Sequence, residues 1–211
     1  MNSQTRYFFL TGAAGRIECA LDLPNEAQFA SPRGIALVAH PHPLYGGTMD
    51  NKVVHTLVRS FLALGYVSAR MNFRGVGKTE GEHDHGGGET DDMAQLLAHM
   101  REQYPGLPVA LSGFSFGTFV QSHLAQRMSA QGNAAERLVL VGTAAGKWEM
   151  ANVPADTILI HGELDETIPL VDVFEWARPQ DLPVIVIPGA DHFFHRKLQH
   201  IKNFVVEMWR R

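Results

Sequence analysis

The segment Gly113-Phe114-Ser115-Phe116-Gly117 sets a serine between two glycines. The apolar run 108–111 before it reads as a buried strand, and 118–125 after it as the start of a helix. At a strand-to-helix junction, Gly-x-Ser-x-Gly makes a turn whose flanks have room only for glycine. The turn pushes the serine hydroxyl out over the sheet edge, where a base and a carbonyl carbon can both reach it. A serine hydroxyl is a poor nucleophile at neutral pH and needs that base within hydrogen-bond reach. Two further segments supply the groups. The strand-like Ile158-Leu159-Ile160 passes through His161-Gly162 into a polar turn carrying Asp165, and 184–187 leads into Pro188-Gly189-Ala190-Asp191-His192. In this arrangement His192 takes the Ser115 proton and returns it to the leaving group. Asp165 fixes the ring tautomer and stabilises the imidazolium. The bland alternatives are a surface loop histidine at 192 and a helix N-cap at 165. Glu163, Glu166 and Asp172 compete with Asp165, but its position after a His-Gly strand end favours it.

The chain order Ser115, Asp165, His192 is the order found in α/β-hydrolases, and differs from the chymotrypsin and subtilisin orders. Other segments carry the same likeness: His40 to Lys52, Asn72-Phe73-Arg74-Gly75-Val76-Gly77, His161-Gly162-Glu163-Leu164-Asp165, and Gly189-Ala190-Asp191-His192. On these the chain resembles the α/β-hydrolase superfamily over nearly its whole length. It is most similar to the small, lid-less branch related to dienelactone hydrolases and acyl-peptidase catalytic domains. It departs from dienelactone hydrolases at the nucleophile, which is cysteine there and Ser115 here. The resemblance implies a serine hydrolase of the carboxylesterase kind, acting on small soluble carboxylic esters through an acyl-enzyme. Peptidase and thioesterase chemistry use the same residues. A non-catalytic ligand-binding protein of this fold is the reading from another class, and such proteins commonly lose a member of the triad.

An acyl-enzyme route needs two backbone donors for the tetrahedral oxyanion. One is the N–H of Phe116, directly after the nucleophile. The resemblance puts the second on the loop His40-Pro41-His42-Pro43-Leu44. Pro41 and Pro43 have no N–H, so His42 is the expected donor and Leu44 the fallback. Tyr45, Trp148 and Phe193 are the expected substrate-pocket residues. Phe114 and Phe116 are weighed beside them, although aromatics at such spacings are more often core. His40-x-His42 with His83-Asp84-His85 invites a metal reading. No metal-ligand spacing links these segments, so no metal or other cofactor is expected. His40 instead reads as a brace for the oxyanion loop. The glycine-dense stretch 81–88 lacks phosphate-loop spacing and reads as a structural turn, with Arg74 paired to Asp84 or Glu89.

These residues need a scaffold that brings several strand ends to one edge. Segments 6–10 and 16–23 read as an antiparallel pair with Gly12 and Gly15 at the turn. Strands are expected over 35–39, 67–71, 109–111, 138–141, 157–160 and 184–187. Helices are expected over 52–64, 90–103, 118–131, 171–177 and 195–209. The alternation predicts one α/β domain, 1–211: a mostly parallel twisted sheet of about seven or eight strands, with helices on both faces. Only 142–156 lies between the sixth and seventh strands, too short for the cap or lid found there in many lipases, so an open cleft is expected.

With 211 residues and 45% hydrophobic content the chain can bury a substantial core. A net charge of −4 without a basic block argues against nucleic acid or an anionic membrane as partner. Apolar runs are strand-sized, and residues 1–7 lack the pattern of a secretory signal. The lone Cys19 rules out an internal disulfide. Together these predict a cytoplasmic protein whose partner is a small-molecule ester.

Overall fold

The structure, a computed structural model, describes residues 5–209; residues 1–4 of the stretch read for a signal lie outside it. The strands are β1 (Arg6–Gly12), β2 (Gly15–Asp22), β3 (Gly34–Ala39), β4 (Tyr66–Met71), β5 (Val109–Phe114), β6 (Arg137–Val141), β7 (Ile158–Gly162) and β8 (Val184–Ile187). The helices are α1 (Lys52–Leu64), α2 (Gly87–Gln103), α3 (Phe116–Ala130), α4 (Leu170–Ala177) and α5 (Leu198–Trp209). All eight strands form one sheet in the order β1-β2-β4-β3-β5-β6-β7-β8. The pairs β1–β2 and β2–β4 are antiparallel, and every other pair is parallel. This is the α/β-hydrolase fold. Between β6 and β7 lies only the segment 142–157, which holds no helix or strand and no cap.

The period-two alternation of a strand builds a core on each face. Ile35, Leu37 and Ala39 of β3, Leu111 of β5 and Leu138 and Leu140 of β6 point to the side covered by α2, α3 and α4. Ala36, Val38, Ala110, Val139 and Val141 point to the side covered by α1 and α5. Both faces are covered, so β3 to β7 are almost continuously buried and apolar, as parallel strands are. Edge strand β1 alternates exposed and half-buried residues.

Two helices begin three residues away from where the sequence suggests. Helix α2 starts at Gly87, not 90, because Glu89 caps the turn by accepting the Gly86 and Asp84 N–H groups. Asp92 of α2 is the main partner of Arg74, whose Nε donates to it at 2.8 Å. Asp84 is a longer second partner at 3.7 Å, and Glu89 is occupied by the cap. Helix α5 starts at Leu198, not 195, because Phe194 and Arg196 have φ of 53° and 62°, which no α-helix accommodates.

No helix among the described residues is long and apolar enough to cross a membrane. One buried ion pair ties the antiparallel part of the sheet to the loops above it. Arg70 of β4 is fully buried; it donates to Asp22 of β2, and its Nε donates to the Met49 carbonyl at 3.1 Å. Removing one member of such a pair leaves an uncompensated charge indoors. Arg70→Leu should therefore lower the unfolding free energy by about 3–5 kcal/mol, read from urea denaturation. A loss below about 1 kcal/mol would show that Asp22 is solvated or protonated when alone.

Candidate active site

Ser115 sits where β5 reverses into α3, with φ 55° and ψ −125°. L-residues rarely adopt such a conformation, and it costs on the order of 1–3 kcal/mol. The surroundings enforce it. The Ser115 N–H donates to the Val141 carbonyl at 2.9 Å, and the Ser115 carbonyl accepts from both the N–H and the hydroxyl of Thr118. The glycines are required by close approach. A Cβ on Gly113 would lie 2.4 Å from the Gly117 carbonyl oxygen, and one on Gly117 would lie 2.5 Å from that of Ala39. The glycines and the serine are legible in the sequence, whereas the part played by Thr118 is not. Its hydroxyl also accepts the Ala144 N–H at 2.9 Å, tying the elbow to the loop after β6.

The structure brings all three predicted residues together. His192 Nε2 lies 3.0 Å from Ser115 Oγ, and His192 Nδ1 lies 2.7 Å from Asp165 Oδ2. Asp165 Oδ1 accepts the N–H groups of Thr167 and Ile168, so neither carboxylate oxygen is idle. The Nδ1–H tautomer follows, since a carboxylate only accepts. Ser115, Asp165 and His192 are each at least nine-tenths buried. The His192 loop is pinned by the fully buried Phe194 below it, and the His192 ring packs on Phe114. Of the competing acids, Glu163 is turned away and accepts the Gly189 N–H at 2.7 Å.

On the opposite wall, the loop 40–45 is fastened from both ends. His40 is fully buried; its Nδ1–H donates to the Pro41 carbonyl at 2.6 Å, and its Nε2 accepts the Phe73 N–H at 2.9 Å. Both ring nitrogens are thus used inside the protein. Burial pushes the His40 pKa down to about 3, which keeps the ring neutral. His42 Nδ1 accepts the Leu44 N–H at 3.2 Å, which removes Leu44 as a free donor. The N–H groups of His42 and Phe116 donate to nothing among the described residues. His83, His42 and His85 do not converge on a shared ligand position: His83 Nδ1 pairs with Glu89, and no group of three metal-binding side chains occurs among the described residues.

Between these walls opens a cleft of about 610 Å³. Ser115, His42 and His192 line it together with Tyr45, Trp148 and Phe193, the three aromatics singled out in the sequence. Phe114 and Phe116 are buried in the core instead. Asn51, Thr167 and Lys147, not expected from the sequence, also line the cleft. For Thr167 and Lys147 a signal existed, since they stand beside Asp165 and Trp148 in the chain. Asn51 carried none, because its side chain reads as the N-cap of α1, which it is.

A family model described as serine aminopeptidase, S33, matches residues 30–184. A Rickettsia prowazekii protein is 32% identical over 209 residues, covering 93% of this chain and 85% of the relative. The structure of a Xanthomonas campestris α/β serine hydrolase without a lid superposes with a TM-score of 0.91 at 32% identity, covering 100% of this chain and 96% of that one. An α/β serine hydrolase homologue from Coxiella burnetii superposes with a TM-score of 0.83 at 31% identity, covering 96% of each chain.

The buried histidines make stability depend on pH. His40 ordinarily titrates near 6.5 and does so near 3 in the fold, so between these values the unfolded chain binds a proton that the folded chain refuses. Stability is then full above about pH 6.5 and falls as pH drops towards 3, by up to about 1.4 kcal/mol per pH unit. His55 and His161 are shifted in the same direction, first by burial. The urea midpoint should fall between about pH 7.5 and about pH 5, before most carboxylates titrate. A flat profile would mean that His40 is charged or solvated in the fold.

Proposed function

The chain belongs to the α/β serine hydrolase family that this model and these relatives define, and on that premise we propose that it hydrolyses small carboxylic esters. The observation that carries the proposal is the unbroken line Asp165, His192, Ser115, with spacings of 2.7 and 3.0 Å, opening into an uncapped cleft. His192 Nε2 accepts the Ser115 proton as Oγ attacks the ester carbonyl carbon. The tetrahedral oxyanion accepts hydrogen bonds from the Phe116 and His42 N–H groups. As it collapses, the imidazolium returns the proton to the departing alkoxide and leaves Ser115 acylated. Water activated by the same imidazole then releases the acid and restores Ser115. Asp165 stays ionised throughout and steadies the imidazolium.

The family description favours a second reading, hydrolysis of a peptide from its amino terminus. Binding a free α-ammonium calls for an anionic partner near the scissile bond. Among the described residues, no carboxylate lines the cleft, and Lys147 puts a positive charge there. The lining therefore supports the ester reading over the aminopeptidase one. The cleft aromatics Tyr45, Trp148 and Phe193 support apolar acyl or alcohol groups of modest size, since the cleft has no cap to enclose a long chain.

Initial rates on p-nitrophenyl esters from acetate to palmitate, compared with aminoacyl p-nitroanilides, test this proposal. Rates should peak at short acyl chains and exceed those on the anilides. Ser115→Ala should reduce them to background while leaving the thermal melt intact. Asp165→Asn should lower kcat by about 10⁴-fold. Ser115-dependent turnover of the anilides alone would replace the ester reading with the peptidase one.

A further inference from the structure

His161 is the penultimate residue of β7, four residues before the proposed acid, and its side chain is fully buried. Its Nε2 lies 2.9 Å from the Ile168 carbonyl oxygen, which can only accept, so Nε2 carries the ring proton. The same nitrogen lies 3.4 Å from Asp165 Oδ2. Nδ1 has no hydrogen-bond partner among the described residues. Burial holds the imidazole below its ordinary pKa, and the titratable groups that face it are Asp165 and His192. The side chain in the fold is thus a neutral ring with one working donor.

That donor closes a small circuit. The Ile168 N–H donates to Asp165 Oδ1 at 2.7 Å, and the Ile168 carbonyl accepts from His161. The Ile168 residue is therefore gripped at both of its polar groups. Meanwhile Oδ2 lies between two imidazoles, 2.7 Å from His192 Nδ1 and 3.4 Å from His161 Nε2. We infer that His161 is a positioning residue: its Nε2–H closes the 165–168 turn and fixes the rotation of the Asp165 carboxylate against His192. The inference rests on the triad proposed above. A ring kept merely to fill space would not explain the bare Nδ1. An unpaired buried polar atom costs on the order of 1–3 kcal/mol, which phenylalanine or leucine at 161 would avoid. The donor at Nε2 is what those residues could not supply.

His161→Phe removes the N–H and keeps a ring, and His161→Gln keeps an amide N–H able to reach the Nε2 position. Two readouts separate positioning from bulk structure. One is the low-field proton resonance of the His192 Nδ1–H bound to Asp165, recorded without substrate. The other is the split between kcat and KM on a p-nitrophenyl ester, corrected for the folded fraction. In H161F the resonance should move upfield and kcat should fall about 10- to 100-fold, because a misplaced acid misaligns the base. KM should change less than about twofold, since the contact is made away from bound substrate. H161Q should retain the resonance and recover most of kcat. If H161F does not fold, His161→Asn, whose amide is too short to reach Ile168, is measured in its place. An unchanged resonance and kcat in H161F would overturn the inference, as would a folded H161Q that fails as H161F does. The resonance needs no turnover. Its loss in H161F beside a wild-type protein inactive on every ester would therefore sink the ester reading while supporting the role of His161.

Discussion

The site depends on one strained residue. Ser115 has a left-handed backbone because β5 must reverse into α3 within a single residue, and its hydroxyl can face the cleft only from that turn. The penalty is local, and the interactions that offset it are spread out. The Val141 carbonyl holds the Ser115 N–H, Thr118 holds the Ser115 carbonyl with two groups, and Gly113 and Gly117 let neighbouring backbone come close enough to wedge the turn. The parallel strands on either side cannot move without breaking ladder hydrogen bonds. The strain is therefore carried by the whole sheet and not by a flexible loop.

The two walls of the cleft solve the same problem in different ways. On the acid side, a short turn uses its own backbone N–H groups to hold Asp165, and the His192 loop is anchored by the buried Phe194. On the opposite side, two prolines stiffen the chain and His40 ties it to Phe73, two residues past β4. Each wall thus hangs from strand ends, β3 on one side and β7 and β8 on the other. Rigid strand ends are what a preorganised site needs, because reorganisation during reaction would consume the advantage of fixed dipoles. Burial holds several imidazoles neutral, which lets them serve as braces through single, directional hydrogen bonds.

The cleft itself is open, lined by aromatics on both walls and nearly free of charge apart from Lys147. With no cap between β6 and β7, desolvation of a reacting carbonyl must come from the substrate and from Tyr45, Trp148 and Phe193. On the ester reading proposed above, that favours compact substrates over long chains, which gain little from a cleft that cannot close over them.

Much of this was legible in the chain. The order of elements, the elbow, the acid turn and the histidine loop are local patterns: short apolar runs ending in glycine-rich or polar turns, with the reactive residue next to the run. Periodicity and turn chemistry act over a few residues, so they can be read without coordinates. The relations across the sheet could not be. Arg74 pairs chiefly with Asp92, eighteen residues on, and only at longer range with Asp84, a choice made by the packing of α2 on the loop after β4. Leu44 gives its N–H to His42, a detail of loop geometry invisible in Pro-His-Pro-Leu. The sequence by itself determined which residue types could do chemistry and that they would gather at one sheet edge. Only the tertiary structure decided which nitrogen meets which oxygen, because contacts between distant strand ends depend on packing at the scale of an ångström, and local propensity carries no information on that scale.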